Sequence, residues 1–171
     1  LIRAYVKKAG HLDSHDMATQ FLPEIVDKPI WIPEYQREMP LVERLFYPEK
    51  YLLLRLRLAS VNPREGGLGN MVNCGAAMYA APVGLMHACD PDAAYDNAVN
   101  IFSAHQYSYG LEAAAVMAAC VAEAVRPAAT VDSIVSTAIR LAKDGTKSAL
   151  VAVAAAARSA PQGDEQALQV H

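Results

Sequence analysis

The fold class of this chain can be predicted from residues 90–125, DPDAAYDNAVNIFSAHQYSYGLEAAAVMAACVAEAV. Asp90 is a typical N-cap residue, and Pro91 suits the first position of a helix because its missing N–H would have no partner there. Apolar residues then recur every three or four positions, which predicts one buried face ending near His105. A second helix, rich in alanine, is expected after Gly110. The stretch therefore predicts two consecutive helices joined by a short corner.

Further helices are expected on both sides of this pair. Residues 75–88 are predicted to form a helix of small side chains. Thr130 is a predicted N-cap, with Lys143 in the last turn of its helix and Gly145 just past the end, and residues 146–159 form a last helix. Alanine-rich helices bury little surface alone, so each needs several neighbours. The expected fold is all-α, a compact multi-helix orthogonal bundle.

Proline interrupts the helical pattern in the first third of the chain. Residues 23–40 hold four prolines and are interpreted as an ordered connection around Trp31, because proline removes backbone donors. Residues 41–58 are expected to divide at Pro48 into two helical pieces. A strand is the alternative for residues 52–58, LLLRLRL.

The sequence as a whole is interpreted as one α-helical domain, residues 1–171, or the middle part of one. It is expected to comprise a proline-interrupted helical region, a ligand loop, alanine-rich helices and a polar tail; the ranges are 1–58, 59–74, 75–160 and 161–171. The methionines are expected to fill gaps in the core; those singled out are Met71, Met78, Met86 and Met117.

Composition excludes several classes of protein. The chain has 171 residues, a net charge of -3 and 53% hydrophobic residues, so it has enough apolar material for a folded core but no general attraction for nucleic acid or an anionic membrane. Its three cysteines form no CxxC pair, which argues against a disulfide framework and a structural zinc site. We therefore expect a soluble cytoplasmic protein with no nucleic-acid or membrane partner.

The segment HLDSHD contains side chains that could bind a metal. His11 and His15 are four residues apart, and Asp13 and Asp16 lie near them. A shared helical face would be needed for a metal site, but a helix N-cap at Asp13 or Ser14 falls between the histidines. The segment is therefore predicted to be a helix start.

The loop of residues 59–74 has the composition of a ligand-binding loop. Its glycines, together with Gly75, allow a backbone that wraps closely around a ligand. Asn70 and Asn73 supply amide donors and acceptors suited to a sugar, and N–H groups at the following helix start favour a phosphate. The alternative is that these residues only turn the chain.

Two motifs resemble the central part of the ADP-ribosylglycohydrolase family. They are NPREGGLGNMVNCGAAMYAAPVGL at residues 62–85 and SAHQYSYGLEAAAVMAACVAEAV at residues 103–125, so the resemblance covers Asn62 to Val125. LIRAYVKKAG at residues 1–10 also resembles the segment that follows the first acidic motif of the family. The resemblance implies an all-α enzyme that hydrolyses the bond from ribose C1 to nitrogen or oxygen, usually with two Mg²⁺ ions.

The loop and the resemblance together nominate a set of ligand-binding residues. The resemblance implies that the loop borders the ribose and phosphates of a ribosyl or ADP-ribosyl substrate, while His105 and Tyr109 lie at the edge of the same cleft. A hydrogen-bonded core position is the alternative for His105. The full set is Gly67, Gly69, Asn70, Asn73, Gly75, Met78, His105 and Tyr109.

The sequence also departs from the family pattern. The Thr-Asp-Asp and Asp-X-Asp-Thr strings that supply the metal ligands are absent, and Tyr79 occupies a position where arginine is common. No catalytic or metal-binding residue is therefore assigned here, and Mg²⁺ and the catalytic carboxylates are expected from outside this chain, on a companion fragment. The alternatives are a non-catalytic protein that binds a ribosyl ligand or serves structurally, and a helical interaction module without a ligand.

Overall fold

The computed structural model describes residues 1–159, which form helices and one small hairpin. The polar tail predicted at residues 161–171 lies outside the described residues. The elements, in chain order, are α1 (Ile2–Lys7), α2 (Ser14–Asp16), a π-helical turn (Met17–Phe21), α3 (Leu22–Val26), β1 (Pro29–Ile32), a 3-10 turn (Pro33–Tyr35), β2 (Arg37–Pro40), α4 (Leu41–Arg44), α5 (Tyr47–Leu52), a second π-helical turn (Leu53–Leu58), a second 3-10 turn (Pro63–Glu65), α6 (Gly75–Met78), α7 (Ala81–Met86), α8 (Pro91–Phe102), α9 (Ser108–Ala124), α10 (Val131–Leu141) and α11 (Asp144–Ser159).

Helix α9 is the central element of the fold. It packs against α6, α7, α8, α10 and α11, and five of its alanines have no exposed surface. Their small side chains let neighbouring backbones approach closely: a Cβ at Gly84 of α7 would meet the Ala118 carbonyl oxygen and lie 2.6 Å from Val121 Cβ. The predicted all-α bundle is confirmed, and a smaller cluster around Leu22, Ile25 and Leu52 extends its core.

The predicted N-caps form hydrogen bonds at the starts of α2, α8 and α10. The Asp13 side chain accepts hydrogen bonds from the N–H groups of His15 and Asp16 in α2. The HLDSHD segment is therefore a helix start. Asp90 accepts from the Ala93 N–H at 3.1 Å, and Thr130 accepts from the Ser133 N–H at 3.0 Å. Each cap satisfies an N–H group that the helix itself leaves unpaired.

Replacing Thr130 with alanine tests the cap of α10. Thr130→Ala is expected to lower the free energy of unfolding by about 1 kcal/mol, because the Ser133 N–H loses its acceptor. Urea unfolding followed by circular dichroism measures this change. Thr130→Ser keeps the hydroxyl oxygen, so its free energy of unfolding should be close to that of the unchanged protein. An equal loss of stability in both variants would contradict the capping role.

The proline-rich connection predicted for residues 23–40 contains an antiparallel hairpin. Strands β1 and β2 pair with Pro29 opposite Pro40 and Ile32 opposite Arg37. The prolines lie at the ends of the strands and in the turn, where no ladder donor is required. The chain reverses through Gln36, whose φ of 50° is left-handed. The hairpin was not predicted, because its strands are only four residues long.

The strand alternative for residues 52–58 was wrong. Helix α5 continues through Leu52 into the second π-helical turn, and the arginines of that turn bind other segments. Arg55 donates to the Glu65 carbonyl at 3.1 Å, and Arg57 forms an ion pair with Asp27 at 3.0 Å. Arg55 thus connects the leucine-rich segment to the loop that follows it, and Arg57 connects it to the end of α3.

Several predicted boundaries and burials also differ from the structure. The helix expected over residues 75–88 divides into α6 and α7, because Pro82 lies in the first turn of α7. Gly110 lies inside α9, and Gly145 lies inside α11 rather than ending α10. The four methionines expected in the core are all at least 45% exposed. Among residues 1–159, no helix is both long and apolar enough to cross a membrane.

Candidate functional site

The glycine-rich loop packs tightly against the corner between α8 and α9. The Gly67 N–H donates to the Ser103 carbonyl at 2.8 Å. A Cβ at Gly67 would meet the Gln106 carbonyl oxygen and lie 2.6 Å from its carbonyl carbon, and one at Gly66 would lie 2.5 Å from the Ala104 carbonyl oxygen. Glycine is therefore required at these two positions by the close approach of another backbone.

Asn70 links the loop to two other parts of the chain. Its side chain is buried, and its amide group donates to the His105 carbonyl at 2.7 Å and to the Pro48 carbonyl at 3.2 Å. Its side-chain oxygen accepts from the Met71 N–H at 2.8 Å. The hydrogen-bonding groups that suggested contact with a sugar are thus occupied by backbone groups.

Replacing Asn70 tests this role. Asn70→Ala is expected to lower the free energy of unfolding by about 2 kcal/mol, since it removes the amide group that donates to the His105 and Pro48 carbonyls. Thermal and urea unfolding measure the change. Asn73→Ala is the matched control, because the Asn73 side chain bonds only within its own turn, and its cost should be smaller. Equal costs would contradict the linking role of Asn70.

Asn73 and Gly75 form the turn that begins α6. The Asn73 side-chain oxygen accepts from the Gly75 N–H at 2.6 Å, and its amide group donates to the Met71 carbonyl. A Cβ at Gly75 would lie 3.0 Å from His105 Cε1 and 3.1 Å from Glu49 Oε1. Gly75 therefore gives these two side chains room beneath the loop.

His105 lies just beyond the end of α8 and is completely buried. Its Nδ1 shares a hydrogen bond with the Tyr79 hydroxyl, and the two rings stack with centroids 5.6 Å apart. Its Nε2 lies 3.8 Å from Glu49 Oε1. Burial lowers the pKa of His105 to about 4, because the charged imidazole would lose its hydration. The observed position fits the core interpretation of His105.

Glu49 was not singled out from the sequence. It lies in α5 and is 8% exposed, and burial raises its pKa above the usual range for a carboxyl. Glu49 lies in the first turn of α5, where a carboxylate interacts favourably with the helix dipole even when it is exposed. The sequence therefore gives no indication that this side chain is buried. Only packing against residues far along the chain reveals it.

The structure brings together some of the nominated residues but not others. His105, Glu49 and Tyr79 form one polar cluster, beside which Asn70, Asn73 and Gly75 lie, while Gly67 packs on the backbone of the neighbouring Gln106. The side chains of Met78 and Tyr109 are exposed, and the Tyr109 ring lies beside Gly145 of α11. Gly69 adopts a φ of +83°, a conformation that glycine accepts without strain. Ligand contact by the eight residues stays a prediction.

A cleft of about 560 Å³ opens on the other side of Tyr79, between α1 and the segment from α2 to α3. The Phe21 and Tyr79 rings stack in its wall with centroids 5.4 Å apart, and the buried Met17 and Ile101 lie next to it. Phe21 belongs to a π-helical turn, a local widening often found at functional sites. None of the eight nominated residues lines this cleft.

Three carboxylates line the cleft, and each already has a partner. Asp13 and Asp16 cap α2 reciprocally, and Asp16 also forms an ion pair with Lys8 at 3.2 Å. Glu24 pairs with Lys28 at 2.6 Å, and this hydrogen bond lowers the Glu24 pKa. These contacts explain the carboxylates as parts of the local structure.

A bound Mg²⁺ would need a defined set of ligands. This ion requires several oxygen ligands in octahedral geometry, usually including one or two carboxylates. Within residues 1–159, no three histidine, cysteine, aspartate or glutamate side chains come together as a metal site. The described residues therefore do not fit the magnesium site that the resemblance implies.

Comparison with known proteins gives one match. No curated protein and no solved structure matches the chain. The family model for ADP-ribosylglycohydrolase matches residues 1–170, well beyond the segment from Asn62 to Val125 on which the resemblance was based. Because that match covers essentially the whole chain, and because the all-α fold agrees with it, this chain belongs to the ADP-ribosylglycohydrolase family.

Proposed function

We propose that this chain takes part in the hydrolysis of a ribosyl bond, with an ADP-ribosyl compound bound in the cleft whose wall includes Tyr79. Membership of the family supports the reaction class. One structural observation carries the placement of the ligand: Tyr79 forms the cleft wall and also bonds to His105 beneath the loop. The cleft volume of about 560 Å³ lies in the usual range for small-molecule sites.

The chemistry of the reaction explains what this chain would contribute. Breaking a bond at ribose C1 develops positive charge on that carbon, which nearby carboxylates stabilise. The carboxylates of the cleft are engaged in caps and ion pairs. The proposal therefore assigns ligand binding to this chain, while the reacting carboxylates and Mg²⁺ come from outside it. N-ribosyl and O-ribosyl bonds are both compatible with this assignment.

The engaged carboxylates also favour a second candidate function. A protein that binds a ribosyl ligand without hydrolysing it needs the cleft and its aromatic wall but no free carboxylate. Asp16 in particular is buried and paired with Lys8, so it is not available to a ligand. Non-catalytic binding on the same fold is therefore the alternative.

Calorimetric titration with ADP-ribose, followed by incubation with ADP-ribosyl-arginine and ADP-ribosyl-serine peptides and Mg²⁺, separates these functions. Binding with release of ADP-ribose supports hydrolysis by this chain together with any companion fragment that purifies with it. Binding without release supports the non-catalytic alternative. Failure of ADP-ribose to bind would contradict both.

A substitution in the cleft wall tests where the ligand binds. Phe21→Leu keeps apolar volume but removes the ring that stacks on Tyr79, so ADP-ribose affinity is expected to fall up to about tenfold. Trp31→Leu is the control, because it removes an exposed ring in the hairpin. Calorimetry on both variants, after their melting temperatures are compared, measures the effect. Equal affinity in Phe21→Leu and the unchanged protein would contradict binding at this wall.

A further inference from the structure

The environment of the Glu49 carboxyl group suggests a specific task for it. The group is largely buried, and Oε1 lies 3.8 Å from His105 Nε2. This separation exceeds a direct hydrogen bond, but a small shift of the carboxyl would close it. The absence of a side chain at Gly75 leaves space for that shift.

The two ring nitrogens of His105 have different surroundings. Nδ1 shares its hydrogen bond with the Tyr79 hydroxyl, a group that can donate or accept. The imidazole also lies near the Pro48 carbonyl, an acceptor that partly offsets the fall of the His105 pKa. Nε2, which has no hydrogen-bond partner, faces the carboxyl oxygen of Glu49.

We propose that Glu49 is a positioning residue, which holds His105 in the tautomer protonated at Nε2 and thereby orients Tyr79 in the cleft wall. An N–H at Nε2 points its hydrogen toward the oxygen acceptors. Nδ1 then carries the lone pair and accepts the hydrogen bond that the Tyr79 hydroxyl donates. The Tyr79 ring is held in this way where it stacks on Phe21.

The neutral state of the buried His105 agrees with this arrangement. The titratable groups that face His105 are Glu49 from α5 and Tyr79, which follows α6; Asn70 from the loop is uncharged. Burial raises the pKa of both Glu49 and Tyr79 and lowers that of His105. His105 is therefore neutral at pH 7, and the position of its single proton decides which ring nitrogen donates.

Nuclear magnetic resonance of the full chain, labelled with ¹⁵N at histidine, tests the tautomer directly. The ring nitrogen shifts of His105 at neutral pH are assigned by their loss in His105→Gln. We expect a protonated nitrogen at Nε2 and an unprotonated one at Nδ1. The opposite pattern would overturn the proposal, and this result needs no variant of Glu49.

Two substitutions of Glu49 test its part in holding the tautomer. Glu49→Gln keeps a side-chain oxygen and is expected to preserve the His105 pattern. Glu49→Leu removes both oxygens and is expected to mix the two tautomers and change the Tyr79 ring signals. An unchanged pattern in Glu49→Leu would overturn the role of Glu49. If Glu49→Leu does not fold, a changed His105 pattern in Glu49→Gln would also overturn the role of Glu49.

The effect on the cleft rests on the proposed function and is measured separately. ADP-ribose is expected to bind Glu49→Leu about tenfold more weakly than the unchanged protein, as is common when a supporting residue is lost. The ADP-ribose affinity of Glu49→Gln should stay within about twofold of that of the unchanged protein. Equal affinity in Glu49→Leu would overturn the link to the cleft. If the unchanged protein does not bind ADP-ribose but shows the expected tautomer, the proposed function fails while the positioning of His105 stands.

Discussion

Gly67→Ala is expected to lower the free energy of unfolding by about 3 kcal/mol, at the upper end of the usual cost of overpacking. The added methyl group would lie 2.6 Å from the backbone nitrogen of Gln106 and would meet its carbonyl oxygen. Neither atom can move as a flexible side chain does. The loop must therefore withdraw from the corner between α8 and α9, and the hydrogen bond from Gly67 to Ser103 is lost.

Gly145→Ala is the matched control for this substitution. Its added methyl group would meet only the Tyr109 ring, which is exposed and can swing away. Gly145 lies in α11, and alanine in a helix is favoured over glycine by up to about 1 kcal/mol. Urea unfolding of both variants should therefore show a large loss for Gly67→Ala and none for Gly145→Ala. Equal stability of the two would contradict the packing of the loop.

Stability is expected to fall by about 2 kcal/mol between pH 7 and pH 5 because of His105 alone, and by roughly 3 kcal/mol at pH 4. The pKa of His105 is lowered to about 4 in the fold, against an unfolded value of 6.5. Between these values the unfolded chain binds more protons than the native protein, so stability is present at neutral pH and lost as the pH falls. The buried imidazole is the cause.

Glu49 has the opposite effect on the pH dependence of stability, so its contribution must be measured separately from that of His105. Burial raises its pKa, so the folded protein binds more protons there, and falling pH increases stability through that group. Glu49→Gln should therefore lose stability more steeply between pH 7 and pH 5 than the unchanged protein. His105→Gln should lose the least, since it removes the group responsible. Urea midpoints across this range measure the three curves, and parallel curves would contradict the pKa of His105.

The helical architecture could be predicted because its signals are local. Asp90 and Thr130 start helices by accepting hydrogen bonds from N–H groups three residues later, and both caps are observed. The alternation of apolar and polar residues in α8 likewise reflects its own geometry, with Tyr95 and Phe102 on the buried face. The hairpin of β1 and β2 was missed because its pairing joins residues across a turn in a segment whose prolines argued against regular structure.

The candidate site could be predicted only in part. The glycine-rich loop and His105 were singled out from the sequence, and the structure brings them together. Asn70 was expected to contact a ligand, but its donors and acceptor bind backbone groups of its own chain. Tyr79 was noted only as a substitution for arginine, although it joins the cleft to the polar cluster.

The sequence by itself therefore determined the capped starts of α2, α8 and α10, the presence of the alanine-rich helices, the all-α class and the resemblance to the family. Only the tertiary structure decided that Glu49 faces His105, that Tyr79 forms the cleft wall, and that Gly67 packs on the backbone of Gln106. The physical reason is the sequence separation over which these interactions act. Caps and helical periodicity act over a few residues, whereas Glu49 and His105 are 56 residues apart and meet only when α5, α6 and the end of α8 pack together.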